Sequence, residues 1–158
     1  MADPCEIEPF EPTMQDGVIA VVRAVHDEYG FTWESAGYHR DLYDIHAAYL
    51  GTGGMFWAAR ETGRVVGCVG ATAHGAEAEL HRLYIYRSVR GRGIGGRLLD
   101  TAIEWGRGRG CRRMIAWSDV RLGLAHRLYL SRGFVLHGLR ECADLERSME
   151  HGFLMEPL

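Results

Sequence analysis

The spacing of apolar positions along the chain changes period several times, and each change marks a new element. Residues 6–10 form a short alternating run that predicts a first strand. Thr13 followed by Asp16 reads as a helix start, Val18, Val21, Val22, Val25 and Tyr29 keep helical spacing, and Gly30 is the stop. An aromatic loop follows (Phe31, Trp33, Tyr38), and residues 41–50 predict a shorter helix with Leu42, Ile45 and Tyr49 on one face. Two apolar runs, 55–60 and 65–73, flank a tight hairpin at 61–64, and a second turn at His74 and Gly75 leads into a longer strand over 78–86. Three successive antiparallel strands are the simplest reading of this middle third.

The pattern then changes again. A glycine- and arginine-rich stretch, 90–96, opens a helix whose apolar stripe is Leu98, Leu99, Ala102 and Ile103, and residues 106–110 end it. A strand over 113–118, a helix over 122–132 capped by Gly133, and two last strands at 134–137 and 152–156 around a polar loop complete the chain. The order β-α-α-β-β-β-α-β-α-β-β predicts a single α+β domain over residues 1–158, built on one mixed sheet.

Composition narrows the class. With 158 residues, 47% apolar and 25% charged, the chain can bury a core without disulfides or a structural metal. No apolar run approaches the ~18–20 residues of a membrane span. The acidic start MADPCEIEPFEP lacks a basic region followed by an apolar stretch, so a cytoplasmic protein with no membrane partner is expected. Cys5, Cys68, Cys111 and Cys142 are scattered, with no metal-ligand spacing, so reduced thiols and no metal are expected. All 18 basic residues are arginine, which excludes Schiff-base and Walker A lysine chemistry. The net charge of −3 is unevenly spread: residues 1–48 carry ten acids against two arginines, and residues 79–140 four acids against thirteen arginines. This suggests an anionic and a cationic surface with different partners, but not nucleic acid, since no aromatic–basic pattern accompanies the arginines.

The candidate chemistry lies in Arg90-Gly91-Arg92-Gly93-Ile94-Gly95-Gly96, between a strand and a helix. Glycines let backbone approach a ligand closely, and the first helical turn offers unpaired N–H groups at a positive dipole end. Arg90, Arg92 and Arg97 add charged donors, so the stretch reads as an anion cradle. Gly91, Gly93 and Gly96 also satisfy a dinucleotide fingerprint, with Asp119 downstream for a ribose. Three antiparallel strands before the turn, and only about 40 residues after Asp119, speak against that reading.

The same residues, Arg90-x-x-Gly93-x-Gly95, fit the Q/R-x-x-G-x-G/A signature of the GNAT N-acetyltransferase superfamily. The stretch from Ala78 to Ile85 resembles that family's fourth strand, and Ala125-x-x-Leu128-Tyr129-x-x-x-Gly133-Phe134 its last helical segment. The likeness covers nearly the whole chain and implies a GNAT-like α+β domain: a mixed sheet of six to seven strands flanked by about four helices. It implies that Arg90, Gly91, Arg92, Gly93, Ile94 and Gly95, continued by Gly96 and Arg97, hold the pyrophosphate of acetyl-CoA as co-substrate. Backbone groups of Leu83, Tyr84 and Ile85 would pair with the pantetheine arm, one N–H of Leu83 or Tyr84 polarising the thioester. Glu79 would act as base toward an amine acceptor, through a water, with His81 on the same strand face as the alternative. Tyr129 would protonate the leaving thiolate. Leu122 departs from the pattern, because many members carry Asn there. The acceptor side would draw on Tyr29, Phe31, Trp33, Glu34, Tyr38, Tyr49 and the acidic first third, which favours a small-molecule amine. A protein N-terminus or lysine as acceptor, a silent acyl-CoA-binding module and an NAD-binding protein are the rival readings. A homodimer is common in the family.

Overall fold

In the computed structural model, residues 4–158 are described, and Met1–Asp3 of the acidic start lie outside the described residues. The strands are β1 (Cys5–Pro9), β2 (Met55–Glu61), β3 (Arg64–His74), β4 (Glu77–Ile85), β5 (Arg113–Asp119), β6 (Val135–Glu141) and β7 (Met149–Met155). The α-helices are α1 (Gln15–Tyr29), α2 (Ile45–Ala48), α3 (Ile94–Gly108) and α4 (Gly123–Ser131). All seven strands join one sheet in the order β1-β2-β3-β4-β5-β7-β6, antiparallel except for the β4–β5 pair. The α+β class and the element order read from the sequence are those observed.

Each face of the sheet carries its own core. On one side α1 lays down Val18, Val21 and Val22, which pack with Leu42, Ile45 and Phe56. On the other, α3 lays down Ile94, Leu98, Leu99, Ala102 and Ile103 against Met114, Phe134 and Phe153. Because β3 is central and covered on both faces, seven consecutive residues from Val65 to Ala71 are buried, and the strand reads as a continuous apolar run. Each fully buried Val, Leu, Ile, Phe or Met among these contributes about 1.5–3 kcal/mol, so truncating Leu99, fully buried, to Ala would cost about 2–5 kcal/mol.

Two boundaries differ from the sequence reading. The helix expected over 41–50 is broken into a 3-10 turn (Arg40–Tyr43), the four-residue α2 and a second 3-10 turn (Leu50–Thr52). The cause is Asp44, whose extended φ of −153° interrupts the first turn while its side chain caps α2 by accepting from the Ala47 N–H. The last two strands are also longer than expected. β6 is an edge strand exposed at every position, with a register shift between Leu136 and Gly138, so no alternating pattern marks it in the sequence.

The feature that positions the site is the β4–β5 junction. The two parallel strands pair only from Glu77 to Leu80 against Arg113 to Ala116, and beyond that they part. β4 also carries a bulge: Cys68 faces Tyr84 and Gly70 faces His81, so Arg82 and Leu83 together oppose Val69. Arg82 accordingly takes a left-handed φ of 51°.

Candidate active site

The gap between β4 and β5 is a two-part cleft. Its first part is apolar and is walled by Val25 and Tyr29 of α1, Leu83 and Ile85 of β4, and Leu124 and Leu128 of α4, with the glycine turn at its end. In that turn Gly91 and Gly93 have φ of 80° and 78°, and Gly93 is the left-handed N-cap of α3. Nothing lies within 4 Å of where a Cβ would stand at either position, so backbone faces open space. The first intrahelical bond is Arg97 N–H to the Gly93 carbonyl (3.1 Å), which leaves the preceding N–H groups of the turn directed outward. Left-handed glycines and open space thus coincide at the start of α3.

The arginines expected to serve an anion cradle are otherwise engaged. Arg90 forms a bidentate pair with Glu28 at 2.7 Å for both bonds, Arg92 pairs with Glu61 at 2.8 Å, and Arg97 donates to the Cys5 carbonyl at 3.0 Å. Arg132, which sequence reasoning missed, reaches from the end of α4 to Asp100 and lies over Gly96. Its only sequence signal was its place just before Gly133.

The second part of the cleft is polar. Leu83, Tyr84, Leu122 and Ala125 line both parts, so the two meet at this wall. Tyr129, buried on α4, faces the second part, and among the described residues its hydroxyl has no hydrogen-bond partner. Burial pushes its pKa well above that of a free phenol, so it holds its proton throughout the neutral range. Leu122, at the position where Asn was the family pattern, contributes an apolar side chain to the meeting point.

The polar part is bounded by His26, Phe31, Tyr38, His81 and Arg82 on one side and by Trp117, Asp119 and Glu150 on the other. The segment 142–148 folds over its mouth, where the Thr32 N–H donates to Glu146 (2.9 Å) and the Leu145 N–H to Glu34 (3.1 Å). Arg121 lies 4.1 Å over the Phe31 ring and is held by Asp119. Of the aromatics expected here, Phe31 and Tyr38 line this part and Tyr29 lines the apolar part. Trp33 instead stacks on His39 (3.9 Å), and Tyr49 donates to Asp41 (2.6 Å). The acids come chiefly from β5, β7 and the segment between β6 and β7 (Asp119, Asp144, Glu146, Glu150), not from the acidic first third.

Of the two candidate bases, His81 lines the polar part, sits 2.9 Å from the Thr72 hydroxyl and is pushed down to about 4 by burial, so it is neutral at pH 7. Glu79 is half-buried two residues back, where β4 still pairs with β5, and is not among the residues lining either part. Burial raises its carboxyl above the usual range. Among the described residues no group of His, Cys, Asp or Glu is placed to hold a metal ion, and no helix is long and apolar enough to cross a membrane.

Residues 19–134, most of the chain, match the Acetyltransferase (GNAT) family. The chain belongs to the GNAT acetyltransferase family. The uncharacterised N-acetyltransferase YjgM of Escherichia coli is 32% identical over 131 residues, which cover 77% of this chain and 78% of that one. Two rat relatives, N-acetyltransferases 8F1 and 8, are matched over about half their own length. A GNAT-family acetyltransferase of Staphylococcus aureus Mu50 superposes with a TM-score of 0.86 at 18% identity, covering 98% of this chain and 99% of that one. The yncA protein of Salmonella typhimurium, solved with its cofactor acetyl-CoA, superposes with a TM-score of 0.77 at 17% identity, over 99% and 95% of the two chains.

Proposed function

We propose that this GNAT protein transfers an acetyl group from acetyl-CoA to the primary amine of a small molecule, by direct attack in a ternary complex. The observation that carries the reading is the continuity of the two parts of the cleft. An apolar channel ends at an anion cradle, and a polar pocket with acidic groups meets that channel at Leu83, Tyr84, Leu122 and Ala125. The cradle fits a pyrophosphate, because left-handed glycines leave open space beside outward N–H groups.

When bound, acetyl-CoA supplies a thioester whose C–S bond breaks as the amine's C–N bond forms. The turn from Arg90 to Gly96, with Arg97, holds the pyrophosphate through backbone. Leu83, Tyr84 and Ile85 present the backbone of parted β4 to the pantetheine arm, and one N–H of Leu83 or Tyr84 takes the charge that develops on the carbonyl oxygen. Tyr129, kept protonated by burial, hands its hydroxyl proton to the departing sulfur. An ammonium group must lose a proton before it attacks. Glu79 receives it through water, its carboxyl raised by burial toward the working pH. Neutral His81 stands between Glu79 and the pocket on the same strand face.

The test is thermal stability with acetyl-CoA, free CoA and NAD, followed by an amine screen read by thiol release. A ligand at a hundredfold excess over its dissociation constant stabilises the fold by about 2.7 kcal/mol, a shift of several degrees. Stabilisation by acetyl-CoA with amine-dependent thiol release supports the proposal. Stabilisation with no release for any amine identifies a silent binding module, and no stabilisation removes the cofactor assignment.

A further inference from the structure

The β4 side of the polar pocket carries two groups, Arg82 and Tyr84, that keep donor capacity beyond their bonds within the protein. The first is Arg82, whose side chain is only 9% exposed. Its Nε and Nη2 bond the two Asp41 oxygens at 3.1 and 2.7 Å, and Nη2 also donates to the Tyr38 carbonyl at 2.5 Å. Nη1 takes part in none of these bonds, and Arg82 lines the pocket. The guanidinium is clamped by Asp41 on one edge and rests on the Tyr38 ring 4.6 Å below, so its remaining edge has a fixed direction.

The second donor is the Tyr84 hydroxyl, and its direction follows from a chain of proton assignments. The Glu34 backbone N–H donates to His39 Nδ1 at 3.0 Å, so that nitrogen carries no proton and Nε2 does. His39 Nε2–H then donates to His26 Nδ1 at 3.1 Å, which places the His26 proton on Nε2. His26 Nε2–H donates in turn to the Tyr84 hydroxyl at 3.3 Å. Tyr84 is therefore an acceptor toward His26, and its own proton has no acceptor among the described residues. The Tyr84 hydroxyl also accepts from the Arg82 guanidinium, so the two groups are neighbours on one wall, with the phenolic proton and the second N–H of Nη1 left to face the pocket.

Across the pocket the polarity is reversed. Asp119 and Glu150 line the other side, and each is held by an arginine, Arg121 at 2.7 Å and Arg140 at 3.0 Å. An ammonium group is suited to that side and a hydrogen-bond-accepting anion to the Arg82–Tyr84 side. A carboxylate has two oxygens, one for each donor. We propose that Arg82 Nη1 and Tyr84 Oη form a carboxylate subsite, so that the acceptor is an amino-carboxylate, a free amino acid or a close analogue, and not a simple cationic amine. The proposal rests on the acetyltransferase reading for the amine's fate, but the subsite itself is a binding property. Because Asp41 already balances the Arg82 charge, recognition here runs on directed hydrogen bonds more than on net charge.

The experiment compares matched ligands on the full-length protein with free CoA present: each L-amino acid, its carboxamide and its decarboxylated amine, first by calorimetric binding and then by thiol release with acetyl-CoA. The best amino acid is expected to bind at least about tenfold more tightly than its amide and its amine. Tyr84→Phe keeps the backbone and the ring but removes the donor, and is expected to reduce that acid-to-amine binding ratio about tenfold. Equal binding of acid and amine, no binding by any amino acid, or an unchanged ratio in Tyr84→Phe would overturn the subsite. Failure of acetyl-CoA to bind would strike the acetyltransferase reading alone, since the binding comparison is made without turnover.

Discussion

His39 Nε2 lies 3.1 Å from His26 Nδ1, and burial pushes both imidazoles down, to about 4 and about 3, so both are neutral at pH 7. His81 is pushed down to about 4 by the same cause. The unfolded chain protonates these rings near 6.5, whereas the folded chain does not. Above pH 6.5 the difference contributes nothing, and below it stability falls as the unfolded state takes up protons, down to about pH 4 for His39 and His81 and about pH 3 for His26. At pH 5 each ring kept neutral costs about 2 kcal/mol. Calorimetric melting at pH 7.5, 6 and 5 is expected to show a steadily falling Tm. A flat profile would mean that these rings accept protons in place.

Tyr129→Phe removes one oxygen from a buried side chain and disturbs no hydrogen bond among the described residues. Stability and acetyl-CoA affinity are therefore expected to stay close to wild type, while kcat falls by about 100-fold. Steady-state kinetics with isothermal binding of acetyl-CoA separates the two effects. Unchanged turnover would take Tyr129 out of the chemistry.

The glycine turn separates stability from binding. Gly93 needs a left-handed φ of 78°, so Gly93→Ala is expected to cost about 1–2 kcal/mol although its methyl meets open space. Gly95 has ordinary helical backbone, and its methyl would touch Leu128 and Ile85 at 3.5 and 3.7 Å, normal contact distances. Gly95→Ala should leave Tm unchanged or slightly raised, yet weaken acetyl-CoA where backbone approaches the pyrophosphate. Melting curves with and without acetyl-CoA read both. Undiminished stabilisation of Gly95→Ala by acetyl-CoA would contradict the cradle.

Trp117 lies against glycine backbone on β7: a Cβ at Gly152 would stand 3.0 Å from its ring. Gly152→Ala must push the indole toward the polar pocket it lines. The expected cost is about 1–3 kcal/mol in stability, with a raised KM for the amine and an unchanged KM for acetyl-CoA. An unchanged KM for the amine would show that the ring has another way to move.

Much of this was legible in the sequence. The valines of α1, the glycine stops and the hairpin at 61–64 obey local rules, so the order of elements follows from spacing alone. The shape of the glycine turn was legible for the same reason, because Gly91 and Gly93 occupy left-handed positions that few other residues tolerate. The partners of Arg90, Arg92 and Arg97 were not, since Glu28, Glu61 and the Cys5 carbonyl come from remote parts of the chain. The interrupted α2 region escaped because a helical spacing of Leu42, Ile45 and Tyr49 survives through three short turns. Arg82, Asp41, His26 and His39 carried no local signal. Their pairing depends on how α1, the segment after it and β4 meet across the sheet.

The bulge on β4 has a consequence for how much chemistry one strand can hold. A regular strand turns every second side chain toward a given surface, so four consecutive residues deliver two. With Arg82 at a left-handed φ, the chain sends His81, Arg82 and Tyr84 into the same pocket, three polar groups from four residues. Beyond it Leu83 and Ile85 pack toward the α3 core, whereas before it Ala78 and Leu80 did so, which means the even–odd assignment reverses at Arg82. A change that straightened the strand would restore simple alternation. It would then turn either the His81 half of β4 or the Tyr84 half away from the pocket, so the lining of the pocket depends on a single irregular residue.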